Sequence, residues 1–168
     1  MPSSIAHASV AFVLSPLLGA GLVSRRLLGI TAIAAALPDI DAIGRPLGHG
    51  DIAALGGHRG VTHSVCFALA AAAAIAFVAS REESKRNRWR IGAYVAAVVL
   101  SHGVLDAFTT YGEGVALFAP LSPLRWKSAW QPFDGLLSEV VAIWLPALLM
   151  YQFWLRARIG RYEVRDAE

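Results

Sequence analysis

The sequence predicts an all-α, polytopic integral membrane helix bundle with about five membrane helices, one of them short or re-entrant. The chain has 168 residues, of which 56% are hydrophobic and only 16% are charged, and its mean hydropathy is +0.52. This composition is too apolar for an ordinary soluble protein, and the length leaves room for one domain. We therefore expect residues 1–168 to form a single membrane-embedded domain.

Each apolar segment predicts one membrane helix, because crossing the hydrocarbon layer takes about 20 apolar residues. The full-length segments are residues 4–24, 61–80, 90–108 and 136–155. The segment at 27–37 is shorter and is closed by Pro38, so it predicts a short span or a re-entrant helix. A cleavable signal peptide is the weaker alternative for the first segment, because no positive charge precedes it. Asp134 is expected to cap the last helix.

The basic residues are distributed unequally between the two sides that five spans define. Eleven of the fifteen lie on one side: Arg25, Arg26, Arg81, Lys85, Arg86, Arg88, Arg90, Arg156, Arg158, Arg161 and Arg165. The other side has Arg45, Arg59, Arg125 and Lys127. The positive-inside rule therefore predicts a multi-pass protein of the inner (plasma) membrane with its N-terminus outside and its C-terminus inside.

The same topology assigns the connecting segments. Residues 81–90 become a cytoplasmic loop that touches anionic lipid, 109–135 an outer-face loop and 156–168 a basic cytoplasmic tail. The net charge of +3 does not indicate a nucleic-acid partner, because the basic residues flank apolar segments and form no aromatic-interleaved surface. The single cysteine, Cys66, has no partner for a disulfide or a thiolate metal site.

Four short polar islands interrupt the apolar sequence, and the predicted topology puts all of them at the outer ends of helices. They are His7, Pro38–Asp41, His58–Ser64 and His102–Asp106. His102 and Asp106 are four residues apart on one helix, so both side chains can reach one ion. Imidazole and carboxylate ligands suit zinc best, with manganese or iron as alternatives. The sequence thus predicts a site for one or two divalent ions with seven candidate ligands: His7, Asp39, Asp41, His58, His63, His102 and Asp106.

Each island also has a structural interpretation. His7 could decorate the interface, Asp39 and Asp41 could terminate a helix and cap the next turn, and Thr62 or Ser64 could cap the third helix. His102 and Asp106 could form a structural hydrogen bond, although ionisable residues inside a span are functional candidates by default. His49 has no assigned role beyond a substrate contact.

These islands, in this order between apolar segments, resemble the LexA-regulated, membrane-bound, metal-dependent hydrolase family. The resemblance covers roughly residues 1–155, and its most specific part is the run His58-Arg59-Gly60-Val61-Thr62-His63-Ser64. It implies an all-helical integral membrane protein with a metal centre and hydrolytic activity. The implied ligand set is similar to that of zinc-dependent phospholipase C enzymes.

A hydrolase of this kind would use metal-activated water on a phosphoester or phospholipid at the outer face. Asp41 is the candidate general base or bridging ligand. Arg59 is the first candidate for holding the phosphate, followed by Arg125 and Lys127, for which anchoring beside interfacial tryptophans is the competing interpretation. The aromatic, proline-rich loop 109–135 is expected to form a lid for a lipid substrate.

Two other classes of function compete with a hydrolase. A proton or metal-ion transporter would also carry histidine and aspartate in its helices, but it should offer polar residues along a path to both faces. A structural membrane protein would explain the helices without explaining the clustered ligands. The sequence leaves the oligomeric state open.

Overall fold

The regular secondary structure is helical in the part of the chain described by the computed structural model, which comprises residues 3–19, 21–44, 50–133 and 135–165. Across these ranges, strand-type pairing is confined to two isolated bridges, Thr109 with Phe133 and Val115 with Trp126. The prediction of an all-helical chain is confirmed. Arg45, His49 and Asp134, which the sequence analysis singled out, lie outside the described residues.

Within the described ranges, six α-helices account for the predicted apolar segments. They are α1 (Ser4–Leu14), α2 (Arg25–Ala35), α3 (Val65–Ala79), α4 (Lys85–Ala107), α5 (Leu136–Glu139) and α6 (Leu145–Arg165). A π-helical turn, Val140–Trp144, joins α5 to α6, so these three elements together form the fifth segment. Serine side chains cap the N-termini of α1 to α4 by accepting a backbone N–H of the first turn, from Ser3, Ser24, Ser64 and Ser84 respectively.

The first segment is shorter than predicted. α1 ends at Leu14 and continues only as a 3₁₀ turn, Ser15–Leu18, whereas a helix was expected as far as residue 24. Pro16 removes a backbone donor at this point, and Gly19 follows with a φ of +78° that a helix cannot contain. The predicted boundary ignored these two residues because the stretch is apolar throughout.

The distribution of large and small apolar side chains fits a helical membrane protein. The helix Lys85–Ala107 and the stretch Leu136–Arg156 are long and apolar enough to cross a membrane, and Ser4–Leu18 and Val65–Ala79 are shorter apolar helices. On α3 the small residues Ala68, Ala72 and Ala76 are buried in the bundle, whereas Leu69 and Phe77 point outward. Small residues between helices and large apolar residues outside are typical of proteins surrounded by lipid.

α4 is the central helix of the bundle, since it packs against α1, α2 and α3. Near its middle the Tyr94 hydroxyl donates a hydrogen bond to the Ala11 carbonyl over 2.6 Å and lies 3.2 Å from the Thr31 hydroxyl. These buried contacts connect α1, α2 and α4. They keep the C-terminal end of α4 beside the start of α1, the end of α2 and the segment that precedes α3.

α4 closely approaches the backbone of His63, which lies in a 3₁₀ turn, Val61–His63, before α3. A Cβ atom built on Gly103 would lie 2.5 Å from the His63 carbonyl oxygen. Only glycine fits at this position, and the contact is with backbone, which cannot rotate away. The packing of α4 therefore fixes the position of His63 along the bundle axis relative to His102 and Asp106.

We expect Gly103→Ala to destabilise the protein by roughly 1–3 kcal/mol, because the added methyl group must push α4 away from the His63 backbone. Gly92→Ala, on the same helix, is the matched control, since its Cβ would meet Ala76 Cβ at an ordinary 3.6 Å. That variant should be neutral or more stable by about 0.5–1 kcal/mol. Equilibrium unfolding in mixed micelles measures both, and equal stabilities for the two variants would contradict the close approach.

Candidate metal centre

Four buried donor atoms from three different elements converge at one end of the bundle: the 3₁₀ segment Leu37–Ala42, the turn Val61–His63 and α4. The atoms are Asp39 Oδ1, His63 Nε2, His102 Nε2 and Asp106 Oδ2, which we call the four-atom cage. The His102 nitrogen lies 3.3 Å from the Asp39 oxygen and 4.0 Å from the Asp106 oxygen. The His63 nitrogen lies 3.5 Å from the Asp106 oxygen and 3.9 Å from the Asp39 oxygen. Ligands of a tetrahedral ion with bonds of about 2.0–2.2 Å lie about 3.3–3.6 Å apart, so the cage has the dimensions of a metal site.

Three of the four cage atoms have no hydrogen-bond partner. His102 donates its Nδ1 proton to the Ala35 carbonyl oxygen over 2.7 Å, which leaves Nε2 as the acceptor nitrogen of a neutral ring. Within the described part of the chain, Asp39 Oδ1, His63 Nε2 and His102 Nε2 make no hydrogen bond. Asp106 Oδ2 lies 2.9 Å from Arg59 Nε, which balances its charge. Buried acceptors that face other acceptors are costly unless a cation lies among them.

The charges in this region also favour a bound cation. The buried cluster, which we define as the seven predicted ligands together with Arg59, contains three carboxylates and one guanidinium. Burial alone would raise the pKa of Asp41, but hydrogen bonds from His58, His63 and Thr62 outweigh it and hold the pKa well below its usual range. With neutral imidazoles the cluster has two uncompensated negative charges, which is the charge that one divalent ion balances.

His7 lies beside the cage and not within it. It is completely buried in the first turns of α1, and its Nε2 is 3.6 Å from Asp106 Oδ1, the oxygen that faces away from the cage. Its ring stacks on the His102 ring, with centroids 3.6 Å apart and planes 10° from parallel. Among the described residues neither nitrogen of His7 makes a hydrogen bond. Asp106 thus has one oxygen toward the cage and one toward His7, as a carboxylate that bridges two ions would have.

Asp41 and His58 form a separate pair behind His63. The His58 Nδ1 atom is 2.9 Å from Asp41 Oδ1. The other oxygen of Asp41 accepts from the Arg59 backbone N–H over 3.0 Å and from the Thr62 hydroxyl over 2.7 Å, and it lies 3.2 Å from His63 Nδ1. The predicted role of Asp41 as base or bridging ligand stays a prediction, but both of its oxygens here face hydrogen-bond donors.

Arg59 is inside the cluster, although its predicted role placed it at the surface as a phosphate ligand. Only 2% of it is exposed, and its Nε lies 2.9 Å from Asp106 Oδ2. Its two Nη atoms donate to the Thr109 hydroxyl and the Tyr111 carbonyl. A positive φ of 63°, unusual for a residue with a side chain, turns it inward. In this arrangement Arg59 neutralises Asp106 and connects the cluster to the loop 109–135.

The other two predicted phosphate ligands contact backbone oxygens. Arg125 donates to the carbonyls of Gly56, His58 and Gly114. Lys127 donates to the carbonyls of Thr110 and Gly112. Both side chains therefore hold the loop 109–135 against the segment that carries His58, and this positions them at the outer edge of the cluster.

The sequence analysis placed His63 in the first turn of the third helix, but the residue lies in the 3₁₀ turn before it. Ser64 is the N-cap of α3, accepting the Phe67 N–H, which confirms one of the two predicted caps. Thr62, the other predicted cap, bonds to Asp41 instead.

Sequence reasoning did not single out Glu139. It is 96% buried where α5 meets the π-helical turn, and its Oε2 accepts the Ser3 N–H at the start of α1 over 2.9 Å. This contact holds the turn that carries His7 against the fifth segment. An acidic residue within an apolar segment is the signal that could have identified it.

The comparisons with known proteins identify a family of the inner membrane. The family model described as YdjM inner membrane protein matches residues 1–162. The chain is 33% identical over 177 aligned residues to inner membrane protein YbcI of Escherichia coli (strain K12), and the alignment covers 94% of this chain and 100% of that protein. No solved structure matches the chain. Neither description names LexA regulation or an activity, so both stay predictions. The chain belongs to the YdjM inner membrane protein family.

Proposed function

We propose that this protein is a membrane-bound, metal-dependent hydrolase that binds a divalent ion, most suitably zinc, in the four-atom cage of Asp39, His63, His102 and Asp106. One observation carries the proposal: four buried ligand atoms converge, with four of their separations at 3.3–4.0 Å, and three of them have no hydrogen-bond partner in the described part of the chain. The mixed nitrogen and oxygen donors are those of catalytic zinc sites, and manganese or iron would also accept them.

The chemistry follows from the contents of the cluster. A divalent ion held by these four residues would have to expand to five-coordinate, or lose one of them, to hold a water; the ion would then lower the pKa of that water towards about 7 and polarise the oxygen of a phosphoester or carbonyl group. Asp39 is the open side of the cage, since its side chain is 20% exposed while the others are fully buried. Arg59 balances the charge of Asp106, and His7 with the outward oxygen of Asp106 offers a place for a second ion.

The substrate class we favour is a phosphoester, with a phospholipid as the membrane-derived example. The outer loop 109–135 supports this choice. Its Trp126 and Trp130 rings pack edge-on against Phe108 at the end of α4, two residues after Asp106, with centroids 5.7 and 6.1 Å away. Phe118 and Leu121 extend outward from the same loop. An aromatic and apolar rim beside a polar site suits an amphiphile that enters from the lipid.

A transporter would need exchangeable polar groups leading from the cluster through the bundle. The buried Thr31 and Tyr94 side chains are the polar groups at mid-bundle that the sequence would offer for this purpose. Both are engaged in hydrogen bonds to helix carbonyls and to each other. Transport is therefore not proposed here, and the activity assay described below would detect it.

The first prediction concerns bound metal. The protein purified in detergent should contain one divalent transition-metal ion per chain, or two if His7 and Asp106 hold a second, measured by elemental mass spectrometry. Asp39→Asn should lose most of the cage ion, because an amide is a poorer ligand than a carboxylate. Glu113→Gln, which removes an exposed acid from the outer loop, should keep the wild-type content. If the wild-type protein contains no metal after incubation with zinc and manganese, the proposal is wrong.

The second prediction concerns catalysis. The metal-loaded protein should release phosphate or a phosphorylated headgroup from at least one compound in a panel of soluble phosphoesters and phospholipid vesicles. A chelator should abolish the release, added zinc should restore it, and Asp39→Asn should reduce the rate to background. If the folded, metal-loaded wild type is inactive across the panel while it exchanges ions across vesicle membranes, transport replaces hydrolysis.

We further propose that the chain crosses the inner membrane five times with its N-terminus outside, which puts the buried cluster at the outer face. In a Cys66→Ala background, Glu113→Cys should react with a membrane-impermeant maleimide added to intact spheroplasts, because residue 113 lies in the outer loop. Glu82→Cys, in the loop between α3 and α4, should react only after permeabilisation. Labelling in the opposite order would reverse the topology.

A further inference from the structure

The carboxylate of Asp41 is surrounded by donors that all come from one short segment, residues 58–63. Its four partners are the His58 ring, the Arg59 backbone N–H, the Thr62 hydroxyl and the His63 ring. Three of these donors face Oδ2 and one faces Oδ1, so the segment engages both oxygens of the carboxylate. Asp41 itself is completely buried and lies two residues after Asp39 in the 3₁₀ segment Leu37–Ala42.

These contacts determine which nitrogen of each ring carries the proton. His58 presents Nδ1 to Asp41 Oδ1 at 2.9 Å. His63 presents Nδ1 to the Thr62 hydroxyl oxygen at 3.1 Å and to Asp41 Oδ2 at 3.2 Å. The Thr62 proton goes to Asp41, since an ionised carboxylate can only accept. In neutral rings both Nδ1 atoms therefore carry the proton, and both Nε2 atoms are free.

The two free nitrogens are buried in the cluster. His63 Nε2 is one corner of the four-atom cage. His58 Nε2 is buried and has no hydrogen-bond partner within the described ranges. The two rings meet edge to face, with centroids 5.4 Å apart. The Asp41 carboxylate thus leaves the Nε2 lone pairs of His58 and His63 available to a ligand of the cluster.

We propose that Asp41 is a positioning residue and not a metal ligand: it fixes His58 and His63 in the Nδ1–H tautomer so that both Nε2 atoms face the binding site. For the metal this rests on the proposed function, because His63 is a cage ligand. Carboxylates that accept the second N–H of a ligating histidine orient the ring and raise its basicity, and losing one typically costs 10- to 100-fold in metal affinity.

Asp41→Asn tests this role with little change in shape. An amide has one donor end, and wherever that end faces an imidazole Nδ1, the ring proton must move to Nε2, where it points at the cage. We expect the zinc affinity, measured by competition with a chromogenic chelator, to fall about 10- to 100-fold while the number of ions per chain at saturation stays the same. The absorption spectrum of bound Co²⁺ should change, because a cage ligand has been reoriented.

Two comparison variants separate the possible outcomes. Glu113→Gln should leave the affinity and the spectrum unchanged. Asp39→Asn should remove the cage ion itself. If Asp41→Asn instead removes one whole equivalent of metal and leaves the affinity for the remainder unchanged, Asp41 is a ligand of a second ion and the proposal is overturned.

A second measurement needs no metal and keeps the proposal testable if the hydrolase proposal fails or if the variant does not fold. In metal-free wild-type protein with ¹⁵N-labelled histidine, at an alkaline pH where the rings are neutral, long-range ¹H–¹⁵N NMR reports the tautomer of each ring. We expect His58 and His63 to carry their proton on Nδ1. A proton on Nε2 of either ring would overturn the assignment, whatever the protein is found to catalyse.

Discussion

The rest of the structure depends on one constraint, which is the uncompensated negative charge of the buried cluster. Three carboxylates lie among four imidazoles and a single guanidinium at one end of a bundle whose remaining interior is made of alanine, valine and leucine. The free-energy cost of burying an unpaired carboxylate in such surroundings is far larger than the stabilisation that a typical contact provides. Arg59 compensates Asp106, hydrogen bonds engage both oxygens of Asp41, and Asp39 keeps partial contact with solvent. The remaining two charges and the three cage atoms without a hydrogen-bond partner are the features that a bound cation would satisfy.

Tight backbone packing makes this arrangement possible. The cluster draws its residues from the start of α1, the 3₁₀ segment after α2, the turn before α3 and the end of α4, so small shifts of any element would separate the donors. Gly103 lets α4 approach the His63 backbone, and the Tyr94 hydroxyl joins α1 to α4 in mid-bundle. Glu139 then holds the start of α1 against the fifth segment. None of these three residues faces the cage, yet each determines where a donor atom lies.

The seven candidate ligands divide into three groups with different positions. Four supply the cage, His7 stands on the far side of Asp106, and the Asp41–His58 pair lies behind His63. This division explains why more potential ligands occur than one ion can use. Some of them hold others in place, as the carboxylates and carbonyls behind ligating histidines do in many metal sites. Arg59 balances charge within the cluster, and its predicted role in holding a phosphate stays a prediction.

The sequence by itself determined the helical class, the position of each apolar segment and the identity of the polar islands, because these depend on hydrophobicity and on local spacing along the chain. It also indicated that the islands share one end of the bundle, since alternating spans return to the same side. It did not reveal the early end of α1, where a proline and a glycine interrupt an apolar run. Only the tertiary structure decided which atoms converge. Donor separations, ring tautomers and the inward turn of Arg59 depend on contacts between segments far apart in the chain, and no local pattern encodes those.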